Sequence, residues 1–369
     1  MPGEPLRLFM TADAVGGVWP YALDLARGLA AEGVRTTLAV LGPTPAADQL
    51  AEAAAVPGLS TLHTDLPLDW LAADADTVER TGEALAELVR ADGADLLHLN
   101  SPAHAAAARF PVPVVGVAHS CVATWWDAVK SGPLPEDFRW RTDLTGRGYR
   151  AVGALVVPSA AFAADTARVY SLPEPPIAMH NGRREVTATA ISGAPESFAL
   201  TAGRLWDEGK GIAALDRAAG RLRIPVLAAG AVSGPNGAAI SLQHIRPLGR
   251  MPERELSGWM AAAPVFVSTA LYEPFGFAVL EAVRAGAALV LSDIPSFREL
   301  WDGAAEFVPP HDDAAIAAAI QRLCDDPAHR ARLQSAARQR AGNYGVAPMA
   351  RAMLDVYRRL RPAQGTTTA

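Results

Sequence analysis

The sequence has little cysteine, little lysine and no long apolar run. Its 369 residues include two cysteines, Cys121 and Cys324, which lie far apart and outside any C-x-x-C spacing. Neither a disulfide framework nor a zinc site is therefore indicated. A helix that spans a bilayer needs about 18 or more consecutive apolar residues, and no such run occurs. The N-terminus also lacks the basic region and apolar core of a signal peptide. These absences predict a reduced, cytoplasmic compartment.

Positive charge is also sparse for a protein that would bind a polyanion. The formal net charge is -6, whereas binding to nucleic acid requires dense basic patches, so no nucleic-acid partner is expected. Charge alone does not favour a membrane either, and a peripheral membrane contact is left open without a motif that supports it. Lysine occurs only at Lys130 and Lys210. Because the chain otherwise uses arginine, Lys210 is a candidate functional residue.

The hydrophobic half of the sequence is arranged in short apolar segments that alternate with helical patterns. The first series comprises LRLFM, a helix over about 18–31, TTLAVL, DLLHLN, VPVVGVA and GALVVPS. After the proline-rich SLPEPPIAMHNGRRE, the alternation restarts with FALTAGRL, PVLAAG, APVFVST and AALVLSD. Such alternation predicts an α/β protein with two doubly wound, Rossmann-like domains, each containing a parallel sheet covered on both faces.

The domain boundary is predicted inside the proline-rich stretch. Residues 1–182 form the first domain and residues 183–344 the second, with helices from about Pro327 onward. The last amphipathic helix, about 345–362, is expected to cross back to the first domain, and residues 363–369 to be a disordered tail. Two such domains are expected to face a cleft lined by the carboxyl ends of their strands, where open α/β folds bind ligands.

Two loops of the first domain contain candidate ligand contacts. Gly16 and Gly17 separate the first strand from its helix, so the backbone could approach an anion at the helix N-terminus. The alternative is a tight turn that needs positive φ, and the G-x-G-x-x-G dinucleotide fingerprint is absent. His119 follows a later strand and would face the cleft, the alternative being a structural histidine.

Aromatic and basic residues follow His119 and are candidates for an acceptor pocket. Trp125 and Trp126 come directly after this loop, and Arg139 lies further along. Aromatic faces suit sugars and other flat apolar surfaces. The alternative is that these side chains pack in the core or the linker.

The loop TAGRLWDEGKGI leaves a second-domain strand and enters a helix near Gly211. Arg204 and Lys210 could converge there with helix N-terminal amides on one diphosphate. The alternative is a solvated loop whose charges pair with Asp207 and Glu208.

The segment LYEPFGFAVLEA contains two glutamates around a turn. Glu273 precedes a helix that is predicted to start near Gly276, so that the amides of Phe275, Gly276 and Phe277 are its unpaired first donors. Glu281 lies more than one turn along, roughly 10 Å from Glu273 by helix rise. That separation is long for two carboxylates that share one bond cleavage. Each glutamate is therefore expected to contact a different part of an elongated ligand.

These features together resemble the retaining glycosyltransferases of family four, which have the two-domain GT-B fold. The resemblance extends from residue 8 to about 342 and rests on Gly16-Gly17, His119, Arg204 with Lys210, and the E-P-F-G-F-A-V-L-E segment from Glu273 to Glu281. The glutamate segment is the most specific of these features.

The resemblance implies that the second domain binds a nucleotide sugar. Glu281 would accept hydrogen bonds from the ribose hydroxyls, Arg204 and Lys210 would neutralise the diphosphate, and Glu273, as a catalytic residue, would contact the transferred sugar. The amides of residues 275–277 would bind sugar and phosphate oxygens.

The resemblance also implies a role for the first domain and a reaction course. Gly17 would approach the donor from the first domain, and His119, the second catalytic candidate, would lie near the reacting sugar. Transfer would retain the anomeric configuration and need neither a cofactor nor a metal. The Asp74-Ala-Asp76 sequence is assigned no metal because it opens a helical pattern.

Three departures from the family pattern concern the acceptor side and the linker. They are Ser120 after the histidine, Arg183-Arg184 after Asn181-Gly182, and Ser268-Thr269 before the glutamate segment. The donor sugar stays open, as does the donor nucleotide, which could be UDP, GDP, ADP or another, and the acceptor stays open among glycans, lipids and small metabolites. Alternative functions are a GT-B sugar-nucleotide epimerase or hydrolase, and a non-catalytic sugar-nucleotide-binding scaffold.

Overall fold

The computed structural model describes residues 5–235 and 237–361. The tail predicted at 363–369 lies outside those residues. The described residues form two compact units: the first contains those up to Trp126, Gly132–Gly182 and those from Val346 to Arg361, and the second contains Asp127–Ser131 and Arg183–Gly345. Each unit is an α/β assembly around one parallel sheet.

The first unit has a seven-stranded sheet in the order β3-β2-β1-β4-β5-β6-β7. Its strands are β1 (Arg7–Asp13), β2 (Arg35–Leu41), β3 (Leu59–His63), β4 (Leu96–Leu99), β5 (Val114–Val117), β6 (Ala154–Val157) and β7 (Ile177–Ala178). All neighbouring pairs are parallel. The carboxyl ends of β1, β4 and β5 are therefore adjacent at one edge of the sheet.

The helices of this unit connect its strands. They are α1 (Val18–Ala31), α2 (Ala47–Ala54), α3 (Ala75–Asp92), α4 (Val122–Val129), α5 (Glu136–Ala151) and α6 (Ala160–Tyr170). The last three residues of α4, from Asp127, are grouped with the second unit. Helix α1 has the bounds that the apolar pattern predicts. Asp74 caps α3 by accepting a hydrogen bond from the Thr77 amide (2.8 Å), which confirms that Asp74-Ala-Asp76 opens a helix.

The second unit has a six-stranded parallel sheet in the order β10-β9-β8-β11-β12-β13. Its strands are β8 (Ala199–Ala202), β9 (Val226–Ala229), β10 (Arg246–Gly249), β11 (Val265–Ser268), β12 (Ala288–Ser292) and β13 (Glu306–Val308). Its helices are α7 (Ile212–Ala219), α8 (Glu253–Ala262), α9 (Phe277–Ala285), α10 (Pro295–Trp301), α11 (Asp313–Asp325) and α12 (Pro327–Ala341).

The core of the second unit shows why its strands are almost wholly apolar. On β11, Phe266 packs into one buried cluster, whereas Val265 and Val267 pack into another. Successive side chains of a strand point to opposite faces, so both faces of this sheet are covered. This is the doubly wound arrangement that the continuous apolar runs predict.

The last helix, α13 (Val346–Leu360), belongs to the first unit and packs against α1. The two helices approach closely at Gly28, where an added Cβ would lie 2.5 Å from the Ala350 side chain. Met353 and Tyr357 of α13 are buried. Among the residues that the structure describes, no helix combines the length and apolar character needed to cross a bilayer.

Candidate functional site

The predicted donor residues of the second unit follow β8 and β11, which are neighbours in the sheet. Arg204 and Lys210 lie in the loop between β8 and α7, and Glu273 lies between β11 and α9. Glu281 is within α9. We call these four residues the donor-side residues.

Lys210 and Glu273 form an ion pair, with 2.6 Å between Nζ and a carboxylate oxygen. Both side chains are about four-fifths buried, being 21% and 17% exposed. The two loops are also joined through the backbone, because the carbonyl of Gly209 accepts hydrogen bonds from the amides of Leu271 (2.8 Å) and Tyr272 (3.2 Å). The structure thus brings together two residues that are 63 positions apart in the sequence.

A glycine permits this close approach of the two loops. Gly211 has φ +64°, and a Cβ there would lie 1.9 Å from the carbonyl oxygen of Thr269. The Thr269 hydroxyl in turn donates to the Gly211 carbonyl (3.1 Å). Because both the backbone conformation and the space exclude a side chain, only glycine fits at this position.

Arg204 is arranged differently from Lys210. Its side chain is 60% exposed and pairs with Asp207 three residues on (2.9 Å), while Glu208 pairs with Lys130 (2.5 Å). The alternative interpretation of this loop, in which its cations pair with Asp207 and Glu208, therefore holds for Arg204. It is wrong for Lys210, whose partner is Glu273.

Helix α9 begins at Phe277, as the turn predicts. Gly276 is its N-cap with φ +91°, and its carbonyl accepts from the amides of Val279 (3.1 Å) and Leu280 (3.2 Å). The amides before these have no acceptor within the helix and form its positive end. The Phe275 ring is buried in the core, so this residue can offer a ligand only its backbone.

Glu281 has a different cationic partner from Glu273. Its Oε1 accepts a hydrogen bond from Nε of Arg183 (2.7 Å), so the structure assigns the two glutamates to separate ion pairs. In the sequence, Arg183 stands out as a departure from the family pattern, but nothing there connects it with Glu281. The available signal was a pair of arginines directly after Asn181-Gly182.

Polar side chains end three adjacent strands of the first unit. Asp13 ends β1, Asn100 follows β4 and His119 follows β5. His119 is partly buried, and its Nε2 lies 2.7 Å from Oδ1 of Asn100. The Asn100 amide nitrogen donates to the carbonyl of Thr11 (2.6 Å), which leaves Oδ1 as the acceptor. His119 therefore carries its proton on Nε2.

This hydrogen-bonded chain continues to the last helix. His98 is fully buried, with Nε2 3.2 Å from Oδ1 of Asn100 and Nδ1 2.7 Å from the hydroxyl of Tyr357. Burial lowers the pKa of His98 to about 4. Burial, aided by His98, lowers the pKa of His119 to about 3. Both rings are neutral near pH 7.

Asn100 was not predicted as a site residue. It ends the segment DLLHLN, and the argument that singled out His119, a polar side chain directly after a strand, applies equally to it. What the sequence does not show is that β4 and β5 are neighbours, which places the two side chains together.

The Gly16-Gly17 loop is shaped by Asp13. Oδ1 of Asp13 accepts from the amides of Val15 (2.9 Å) and Gly16 (3.2 Å), and burial raises the pKa of this carboxyl. Gly17 is the N-cap of α1 with φ −68°, and neither glycine has a positive φ. The alternative that these glycines serve a positive-φ turn is therefore wrong. A Cβ at Gly16 would meet no atom of the described residues within 4 Å.

The acceptor candidates lie on α4 and α5. Trp125 and Trp126 are partly buried with ring centroids 6.3 Å apart, and the indole nitrogen of Trp126 donates to the carbonyl of Gly132 (3.1 Å). Arg139 is exposed and pairs with Glu136 of its own helix (2.9 Å). The structure thus brings the two tryptophans together and leaves Arg139 on the surface of α5.

Two family models match the chain. The family described as Glycosyltransferase Family 4 matches residues 15–183, and that described as Glycosyl transferases group 1 matches residues 238–340. The chain belongs to the family-four glycosyltransferases. Among curated relatives, this glycosyltransferase is 26% identical to a D-inositol 3-phosphate glycosyltransferase of Nocardioides sp., over 97% of the chain and 88% of that protein. It is 28% identical to an alpha-maltose-1-phosphate synthase of Mycobacterium tuberculosis, over 70% of the chain and 76% of that protein.

Solved structures confirm the GT-B fold of this glycosyltransferase. A sucrose-phosphate synthase from Thermosynechococcus elongatus has a TM-score of 0.78 at 20% identity, over 96% of this chain and 99% of that one. Anabaena HepE in complex with UDP-glucose has a TM-score of 0.73 at 18% identity, over 96% and 100% of the two chains.

Proposed function

We propose that this glycosyltransferase moves a sugar from a nucleoside diphosphate donor to an acceptor hydroxyl, with retention of anomeric configuration and without a metal ion. The observation that carries the proposal is the Lys210–Glu273 ion pair beside the N-terminus of α9. A cation, a carboxylate and helix amides are held together there by two joined loops. A diphosphate-linked sugar supplies the matching groups. Its diphosphate is an anion that suits Lys210 and the helix amides, and its sugar hydroxyls are hydrogen-bond donors that suit Glu273.

The proposed reaction moves negative charge onto the leaving group. The bond between the anomeric carbon and the phosphate oxygen breaks, and that oxygen becomes negative. Lys210, Arg204 and the first amides of α9 stabilise this charge, which is the task that a divalent cation performs in other transferases. The acceptor oxygen bonds to the anomeric carbon from the same face, and its proton passes to the leaving phosphate. Glu273 accepts from the sugar hydroxyls and Glu281 from those of the ribose.

The first unit also contains groups that suit a sugar donor. His119 is neutral and donates its Nε2 proton to Asn100, so Nδ1 is the acceptor nitrogen of the ring and suits a sugar hydroxyl. Neither Gly16 nor Gly17 has a positive φ, so backbone conformation does not account for glycine at these positions. The lack of a side chain there would instead allow a donor to approach the backbone closely.

The compounds printed for similar proteins indicate which donors to test first. HepE is seen with UDP and with UDP-glucose, which favours UDP over GDP and ADP as the nucleotide. The relatives are named for a sugar phosphate and for an inositol phosphate, so we propose that the acceptor is a polyhydroxylated compound. We also place the reaction in the cytoplasm.

Binding of nucleotides tests this proposal directly. UDP, GDP and ADP are each added to the protein, and the melting temperature is measured. At least one should raise it, since a ligand at 100 times its Kd stabilises the folded state by about 2.7 kcal/mol. Lys210→Ala should remove most of the shift. Arg223→Ala, which breaks an exposed ion pair with Asp325, should leave it unchanged.

The reaction itself distinguishes transfer from the epimerase and hydrolase alternatives. UDP-glucose and related donors are incubated with and without candidate acceptors, and the products are identified by mass spectrometry. Transfer predicts that release of the nucleotide depends on an acceptor. The absence of a thermal shift with all three nucleotides would count heavily against the proposed donor class.

A further inference from the structure

Arg183 is the first residue of the second unit after the chain leaves the first. Its side chain is 4% exposed, and it donates hydrogen bonds to two carboxylates, Glu281 (2.7 Å from Nε) and Glu253. Arg184 pairs with the other oxygen of Glu253 (2.5 Å). Arginine cannot lose its proton in a protein, so a buried guanidinium requires such carboxylates. The arrangement therefore holds Glu281 as well as Arg183.

The backbone of Arg183 is fixed independently of its side chain. Its amide donates to the carbonyl of Tyr344 (3.1 Å). Arg284 donates to the carbonyls of both Arg183 and Tyr344, the latter at 3.0 Å. Arg284 and Glu281 are one turn apart on α9, so this helix contacts Arg183 at two points. Arg284 binds the main chain of Arg183, and Glu281 binds its side chain.

This geometry determines the orientation of Glu281. The Glu281 side chain is 20% exposed, and a free glutamate of this kind would occupy several rotamers whose ordering costs entropy. A guanidinium is a planar, pre-organised donor, so less entropy is lost for each hydrogen bond that it forms. A carboxylate has about four lone-pair sites, so a bond from Arg183 is compatible with further donors.

We propose that Arg183 is a positioning residue for nucleotide recognition, which holds the Glu281 carboxylate in the orientation that receives the ribose hydroxyls. In this role, Arg183 acts through its contact with Glu281 and is not itself assigned a contact with the nucleotide. The inference rests on the proposed function, since that function assigns Glu281 to the ribose. It gives a role to the Arg183-Arg184 departure, which the proposed reaction leaves unexplained.

The affinity ratio between ribose and dideoxyribose nucleotides measures this role. Kd values are determined by calorimetry for UDP, GDP and ADP and for their 2′,3′-dideoxy counterparts, which lack the hydroxyls that Glu281 would bind. In the unmodified protein, the best nucleotide should bind at least about tenfold more tightly than its dideoxy form, as expected for hydrogen bonds to a charged group. Arg183→Met should lower this ratio several-fold, mainly by weakening the ribose form.

Further variants separate positioning from folding. Glu281→Gln should lower the same ratio, and the double variant should lower it no further, because the two residues act through one contact. Arg183→Lys keeps the buried charge, but its ammonium lacks the planar fork, so its ratio should also fall in a folded protein. Arg322→Met, which breaks a pair with Glu306 in the same unit, is the matched control and should keep the original ratio.

Each negative outcome of these binding measurements shows that a different assumption is wrong. If no nucleotide binds the unmodified protein, the proposed function fails and this inference fails with it. If nucleotides bind but the dideoxy forms bind equally well, the donor class stands and the ribose role of Glu281 is wrong. If Glu281→Gln lowers the ratio while both Arg183 variants keep it, Arg183 serves stability alone and the inference is overturned.

Discussion

At the scale of single residues, the first unit contains two neutral histidines that share one acceptor. Oδ1 of Asn100 lies 2.7 Å from His119 and 3.2 Å from His98. If each ring donates through Nε2, Nδ1 of His98 is the acceptor for the hydroxyl of Tyr357 (2.7 Å). A second proton on His98 would remove that acceptor and place a charge in the core. The hydrogen bonds of this network therefore require neutral rings and disfavour protonation of His98.

The stability of the protein should for this reason depend on the protonation of His98. Its pKa is about 4 in the folded state against an ordinary value of 6.5, so the unfolded chain takes up a proton first as the pH falls. The stabilisation is complete above pH 6.5 and is lost as the pH decreases toward 4, by up to about 1.4 kcal/mol per pH unit. We expect His98→Gln, which keeps a donor and an acceptor, to reduce the pH dependence of the unfolding free energy in that range.

Urea unfolding across this pH range measures the effect. His311→Gln is the control, because His311 is exposed, and it should keep the slope of the unmodified protein. Equal slopes for His98→Gln and the unmodified protein would show that His98 takes up its proton without unfolding the network.

The sequence predicted single residues of the candidate site but not the contacts between them. Glu273 and Lys210 were found from local motifs, since a glutamate before a helix and a lysine in a glycine-rich loop are visible in a few neighbouring letters. Their mutual contact and the Arg183–Glu281 contact join residues 63 and 98 positions apart. Such contacts follow from strand order and helix packing, which a single sequence does not specify.

At the scale of elements, the strands within the described residues that were not predicted are the four at the sheet edges: β3, β7, β10 and β13. The nine inner strands have apolar runs because both of their faces are covered. Edge strands lie at the margin of the packed layers. Each residue of β3 is at least partly exposed, and β7 has only two residues. Their sequences therefore lack the apolar run that identifies an inner strand.

The loops that present the donor-side residues depend on glycine at close approaches. Gly230 follows β9 with φ +137°, and a Cβ there would lie 1.8 Å from the carbonyl oxygen of Gly203, which precedes Arg204. Gly286 also has a positive φ, +106°, but nothing lies within 4 Å of its added Cβ. A comparison of alanine substitutions at Gly230 and Gly286 therefore distinguishes the free-energy cost of backbone conformation from that of a steric clash.

We therefore expect Gly230→Ala to be clearly more destabilising than Gly286→Ala. The conformational cost of a side chain at positive φ is about 1–2 kcal/mol, and only Gly230→Ala adds a steric clash with another backbone segment, at the Gly203 carbonyl. Gly230→Ala should also displace the Gly203–Arg204 segment and weaken binding of the nucleotide that stabilises the unmodified protein. Melting temperatures with and without nucleotide test both effects, and equal losses in the two variants would contradict the role given to this contact.

At the scale of the whole molecule, the first unit is assembled from both ends of the described chain. Apart from the short stretch Asp127–Ser131, which is grouped with the second unit, the chain stays in the first unit up to Gly182, then forms the second unit, and returns at Val346 to add α13. This helix covers α1 and supplies the Tyr357 hydroxyl to the histidine network. The first unit is thus complete only when the last helix has been synthesised, although most of its residues are made first.

Removing α13 should therefore unfold the first unit. Its large buried apolar side chains are Met349, Met353, Leu354, Val356 and Tyr357. Each contributes about 1.5–3 kcal/mol by burial, and their sum is of the same order as the roughly 5–15 kcal/mol that stabilises a typical domain. A chain ending at Gly345 is compared with one ending at Arg361, which keeps α13, by thermal unfolding and limited proteolysis. We expect cleavage before residue 182 only in the shorter chain. Equal resistance in both would show that α1 and its sheet are stable without this helix.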